Sequence, residues 1–152
     1  MSKVFFTDLR TNPKRNLLDK IEDLLNRTKI NEKINKNDIV AIKIHFGEYG
    51  NTAYLRPVFL RRIVERIKNL GGKPFLTDTN TLYTGSRSDA VSHLTTAIRN
   101  GFDYACVECP IIIADGIRGA TGIKIPIDGD ILKEVSIAKE IVEADAMIVV
   151  TH

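Results

Sequence analysis

The chain has 152 residues, 43% of them hydrophobic and 27% charged, which suits a single globular domain able to bury a core of its own. A net charge of +3 is too small to point to nucleic acid or a membrane surface, and no apolar run approaches the roughly 20 residues that span a bilayer. Two cysteines are too few for a disulfide framework and the opening MSKVFFTDLR lacks the features of a secretory signal, so the expected location is the cytoplasm.

Residues 3–8 (KVFFTD) read as a first short strand. Asn12-Pro13 then opens a helix, along which Leu17, Leu18, Ile21, Leu24 and Leu25 recur at helical spacing to about Thr28. The polar stretch KINEKINKND is a loop with room for one helical turn. Residues 38–51 (DIVAIKIHFGEYGN) follow, and they carry the strongest signal in the chain. Ile39, Val40, Ala41, Ile42, Ile44 and Phe46 form a nearly continuous apolar run, the pattern of a strand buried on both faces. Lys43 and His45 interrupt it, two apart and so on one face, and Gly47-Glu48-Tyr49-Gly50 ends it in a loop.

Pro57 starts a second helix with an apolar stripe of Leu60, Ile63, Val64, Ile67 and Leu70, stopped at Gly71-Gly72. Its arginines read as a solvated face. Lys73–Asp78 (KPFLTD) is the next strand and runs into the polar loop Asp78-Thr79-Asn80-Thr81. Ser88 or Asp89 caps a third helix carrying Val91, Leu94, Ala97 and Ile98, stopped by Asn100-Gly101. Two short strands are expected at residues 104–107 and 111–114, the second ending in Asp115-Gly116. IKIPI-DG-DILKEV has the signature of a β-hairpin closed by Asp128-Gly129 as a two-residue turn. Ser136 is a candidate cap for a last helix over 137–144, before a final strand at 146–151.

This alternation of strand and helix predicts an α/β fold: a mostly parallel sheet with helices on both faces and an inserted β-hairpin near residues 123–135. No repeat or linker divides residues 1–152, so one domain is expected. The apolar ending AMIVVTH predicts that this domain is the N-terminal part of a longer protein.

In open parallel sheets ligands bind beyond the carboxyl ends of the strands. That rule selects His45, Gly47 and Glu48 after one strand, Asp78, Thr79 and Asn80 after the next, Asp115 and Gly116 after a third, and His152 after the last. Lys43, His45 and Glu48 are the candidate catalytic residues, with Lys43 supplying positive charge. His45, Asp78, Asp115 and His152 are the candidate metal ligands, and a divalent metal is the expected cofactor. Against this stand ordinary roles: Asp78 and Asp115 as turn caps, His45 as a hydrogen-bonded core histidine. Cys106-Val-Glu-Cys109-Pro110 resembles half of a metal site, but no second pair exists and two structural cysteines are the better reading. The loop 84–88 (TGSRS) offers an anion site through backbone amides and Arg87, or a plain capped helix start. No phosphate-binding or dinucleotide fingerprint and no serine-hydrolase elbow is present.

The stretches IVAIKIHFGE, DTNTLYTGSR, PIIIADGIRG and EADAMIVVTH resemble the domain of unknown function 362 family, whose uncharacterised members are labelled iron–sulfur centre proteins and are often joined to a ferredoxin module. The resemblance implies an iron–sulfur-associated domain, redox-linked or metal-dependent, with a ferredoxin module in cis as the expected partner. It implies a 4Fe-4S cluster only in a full-length protein and none on this chain, because the family's cluster ligands form a ferredoxin-type cysteine run that is absent here. The alternative is a non-catalytic module that binds an anionic ligand or a protein partner. Neither a nucleic acid nor a membrane is expected as a partner.

Overall fold

The computed structural model describes residues 3–151. Four strands form an all-parallel sheet: β1 (Ile39–Ile44), β2 (Lys73–Asp78), β3 (Ile111–Ile113) and a last strand, Ala146–Val150, in the spatial order β3, β2, β1, last. A separate antiparallel hairpin joins β4 (Gly122–Pro126) to β5 (Glu134–Ala138), which makes Ala146–Val150 β6. Helices α1 (Leu17–Arg27), α2 (Pro57–Asn69), α3 (Ala90–Arg99), α4 (Tyr104–Val107) and α5 (Lys139–Val142) complete the chain. The α/β class and the hairpin insertion are as the sequence predicts.

β1 lies at the centre of the sheet because its sequence has a face for each side. Val40, Ile42 and Ile44 point to one side, where they pack with Leu76, Ile148 and Val150 against Ile21 and Leu25 of α1 and Leu60, Ile63, Val64 and Ile67 of α2. Burying each of the four α2 residues contributes about 1.5–3 kcal/mol. Pro57 sits in the first turn of α2, where its missing N–H is no loss, and Gly71 ends it at φ +87°. The other side of β1 presents Ala41 and Lys43. In register with them run Phe75 and Thr77 on β2, Met147 and Val149 on β6 and Ile112 on β3. The segment after β5 crosses this side, where Glu140, Glu143 and Ala144 border a hollow with Ile39, Phe75 and Ile112.

Several expected elements differ. Residues 3–8 form no strand, and Val4, Phe6 and Leu9 are largely exposed. α1 begins at Leu17 rather than at Pro13, because Asn16 and Asp19 form a reciprocal capping box. Residues 104–107 are a helical turn and not a strand; the Asp103 carboxylate accepts from the Cys106 N–H at 2.8 Å and caps it. The hairpin does not turn at Asp128-Gly129. Neither residue has the positive φ that a tight two-residue turn demands, and the loop closes further out, with the Ile127 N–H donating to the Lys133 carbonyl at 2.9 Å. Ser136 pairs with Lys124 inside β5, so it caps nothing, and α5 is confined to Lys139–Val142. On α3 the buried residues are His93, Thr96 and Ala97, while Val91, Leu94 and Ile98 are exposed.

Candidate functional site

The carboxyl ends of β1 and β2 deliver the polar cluster. Lys43 is the penultimate residue of β1, and its ammonium lies 3.2 Å from Asp78 Oδ1 at the end of β2. Asp78 is almost wholly buried, whereas the Lys43 side chain is 41% exposed. Beyond the strand His45 accepts, at Nδ1, the N–H of Gly47 at 3.0 Å.

Arg87 holds the cluster together. Its side chain is only 3% exposed and turns inward from the loop between β2 and α3. Nη1 donates to Asp78 Oδ2 at 3.2 Å, Nε to Glu48 Oε1 at 2.9 Å and Nη2 to the Tyr83 hydroxyl at 2.7 Å. Nη2 also lies 2.9 Å from His45 Nε2. One guanidinium thus joins the loop after β1 to the end of β2 and shares its single charge between two carboxylates, with Lys43 as the second cation at Asp78.

The Glu48 carboxylate is surrounded by donors. Tyr83 Oη donates to Oε1 at 3.0 Å, while the Ser86 N–H and hydroxyl donate to Oε2 at 3.1 and 2.6 Å. Burial pushes its pKa up, but the bonds from Ser86, Arg87 and Tyr83 outweigh this and hold it at about 2. With its lone pairs committed, Glu48 is a fixed anion in this arrangement. His93, on α3, is fully buried behind the cluster and packs edge-on against Phe46 at 5.6 Å. Burial pushes its pKa down to about 4, against an upward pull from Asp78.

Lys43, His45, Glu48 and Asp78 therefore meet in one network. Asp115 stands apart from it. Its carboxylate accepts from the Asn80 N–H and side-chain amide, at 2.9–3.1 Å, and ties the β2–α3 loop to the loop after β3. A small hollow of about 180 Å³ beside it is lined by Thr79, Gly119, Thr121 and Ser136. His152 lies outside the described residues. No sequence signal marks Tyr83, and Arg87 is read from sequence as part of an anion-binding loop or of a plain capped helix start. A signal for Arg87 as a hub does exist: three candidate polar residues near one strand edge need a buried partner with several donors, and Arg87 stands nine residues beyond Asp78.

The family model described as a domain of unknown function (DUF362) matches residues 40–152. The chain belongs to this family. No curated protein and no solved structure matches it. The DUF362 match begins inside β1 and takes in the whole Lys43–Arg87 network, leaving α1 outside.

Two cofactors raised by the sequence can be set against the DUF362 residues themselves. A four-iron cluster takes four thiolates, and the chain has two cysteines; Cys109 is buried, and burial pushes its thiol up to about 11. The chain does not fit that cluster. For a divalent metal, no group of three or more His, Cys, Asp or Glu residues is placed to hold an ion among the described residues, and Arg87 stands between His45 and Asp78. Among the described residues no helix is long and apolar enough to cross a membrane.

Proposed function

We propose that the carboxyl edge of the sheet is a binding site for a small anionic ligand and that Lys43 is the cation that meets it. The observation that supports this reading is the division of labour between the two cations. Arg87 is buried and committed to Glu48, Asp78 and Tyr83, so it acts as the frame. Lys43 is braced by Asp78 on one side and remains 41% exposed on the other, so its ammonium keeps N–H donors to give beyond the one turned to Asp78. A cation oriented by a buried carboxylate at the rim of a parallel sheet is suited to recognition of an anion.

A screen of inorganic phosphate, sulfate and small dicarboxylates by thermal shift at low ionic strength tests the reading. At least one anion is expected to raise the melting temperature, and Lys43→Met is expected to weaken its affinity about ten-fold. If no anion stabilises the protein, or if Lys43→Met binds as well as the wild type, the reading is lost.

The competing reading is a redox-linked or metal-dependent domain in the cytoplasm, as the iron–sulfur association of the family resemblance implies. In it a ferredoxin module in cis carries the cluster, and His45 and Asp78 become metal ligands once Arg87 withdraws. Titration with zinc and manganese distinguishes the two: a metal affinity that both His45→Ala and Asp78→Ala abolish would displace the anion reading.

A further inference from the structure

We propose that the loop of residues 83–87 is a carboxylate receptor and that Glu48 is its internal occupant, displaced when a compact dicarboxylate ligand binds. The inference rests on the reading of this edge as an anion site and adds to it a second subsite and a ligand class.

The receptor is visible in how Glu48 is held. Four donors converge on its carboxylate, two on each oxygen: Tyr83 Oη and Arg87 Nε on Oε1, the Ser86 N–H and hydroxyl on Oε2. All four come from one short loop, and they span the donor types from which anion sites are built: guanidinium, backbone amide and hydroxyl. Two donors per oxygen match a planar carboxylate better than a tetrahedral phosphate. Gly85 lets the loop pass close to the carboxylate: a Cβ there would touch both Glu48 oxygens at 3.4 Å and crowd the Tyr83 ring at 3.2 Å.

The occupant sits at an accessible edge of the fold. Glu48 lies between Gly47 at φ +79° and Gly50 at φ +83°, and Gly50 has open space around it. The Glu48 side chain is 27% exposed, and Tyr83 and Tyr49 beside it are more than half exposed, so the receptor is at the rim and not in the core. The Ser86 hydroxyl also accepts the Tyr49 N–H at 3.1 Å, which ties the Glu48 loop to the receptor. Ser86 also lines a groove of about 340 Å³ between the Glu48 loop and α3, together with Tyr49, Ser92, Thr95 and Arg99. The Arg99 guanidinium lines the same groove and lies 5.4 Å from the centre of the Tyr49 ring. A ligand with one carboxylate in the place of Glu48 extends along this groove and presents its second to Arg99, hence a dicarboxylate.

Glu48 competes as a tethered carboxylate, at an effective concentration in the millimolar range or above, so it weakens the apparent affinity of any free carboxylate. Succinate is the probe, with the neutral succinamide as control, and calorimetry is the readout. Glu48→Ala is expected to bind succinate about ten-fold more tightly than the wild type, to bind succinamide no better, and to lose the gain when Ser86→Ala is added. Unchanged or weaker succinate binding by Glu48→Ala overturns the proposal, as does a gain that survives Ser86→Ala. If Glu48→Ala fails to fold, Glu48→Ser, whose side chain is too short to reach the cradle, carries the same comparison. Lys43→Met reads the parent proposal separately. A Glu48→Ala gain with no Lys43 effect supports the receptor and removes Lys43 from binding; a Lys43 effect with no gain does the reverse.

Discussion

Arg87 Nη1 and Asp78 Oδ2 lie 3.2 Å apart, with 3% and 7% of their side chains exposed. This is the most deeply buried ion pair among the described residues, and it fixes the β2–α3 loop against the end of β2. Removing Arg87 leaves the buried Asp78 carboxylate with Lys43 as its remaining cation and takes a donor from Glu48 as well. Arg87→Met is therefore expected to lower unfolding free energy by about 3–5 kcal/mol. Adding Asp78→Asn should recover part of that loss, since the under-compensated buried carboxylate is then gone. Urea unfolding of the two single variants and the double variant measures both effects, and strictly additive losses would show that the pair is not coupled.

His93 makes a second, pH-dependent prediction. It is fully buried, and neither ring nitrogen has a hydrogen-bond partner among the described residues. Its folded pKa of about 4 lies below the ordinary 6.5 because burial penalises the charged ring. Between these values the unfolded chain takes up a proton that the folded chain does not. The stability His93 allows is thus complete above pH 6.5 and is lost as pH falls towards 4, by about 2–3 kcal/mol. His93→Leu removes the titration and two unpaired polar atoms, so it should flatten this window without a loss at pH 7. Unfolding at pH 7 and pH 4.5 compares the two proteins, and an equal acid loss in both would sink the assignment. Below this window Glu48 takes over. Its pKa of about 2 lies under the usual 4.5, so its share of stability is present above pH 4.5 and is lost as pH falls through 2.

How far the sequence reached is set by which signals are local. β1 could be read because it is a run of apolar, largely β-branched residues, and β2 because a short apolar core stands between Gly71-Gly72 and a polar loop; Lys73–Asp78 has the predicted limits. The segment 3–8 has the same local look, yet a strand also needs a neighbour, and pairing is decided elsewhere in the chain. The turn at 104–107 went unread because its one sign is Asp103, a single capping residue before a run with β-like composition. In the site, Lys43, His45, Glu48 and Asp78 could be found by their place at strand ends. What they bind could not, because Arg87 reaches Glu48 across 39 positions and His45 across 42. Whether an arginine in a loop turns inward or outward depends on the carboxylates the fold brings to it, and no window of local sequence contains them.

The loop after β1 allows a paired prediction from its two glycines. Gly47 and Gly50 both have positive φ, +79° and +83°, so alanine at either is strained by about 1–2 kcal/mol. Their surroundings differ. A Cβ at Gly47 would lie 2.4 Å from Tyr54 Cδ1 and 2.9 Å from Asn100 Nδ2, whereas a Cβ at Gly50 meets nothing within 4 Å. Neither neighbour of Gly47 moves easily. The Asn100 amide donates to the Phe46 carbonyl at 2.8 Å, and the Tyr54 ring packs on Phe102 at 5.7 Å. Gly47→Ala should therefore add overpacking of about 1–3 kcal/mol to the backbone strain and shift the peptide that donates to His45. Gly50→Ala should show the strain alone, and Gly50→Asn less of it, because asparagine tolerates this conformation. Melting temperatures and the His45 ring resonances report the two effects. Equal losses at the two positions would mean that the wall formed by Tyr54 and Asn100 yields, and that the close approach at Gly47 does not fix the path of the Glu48 loop.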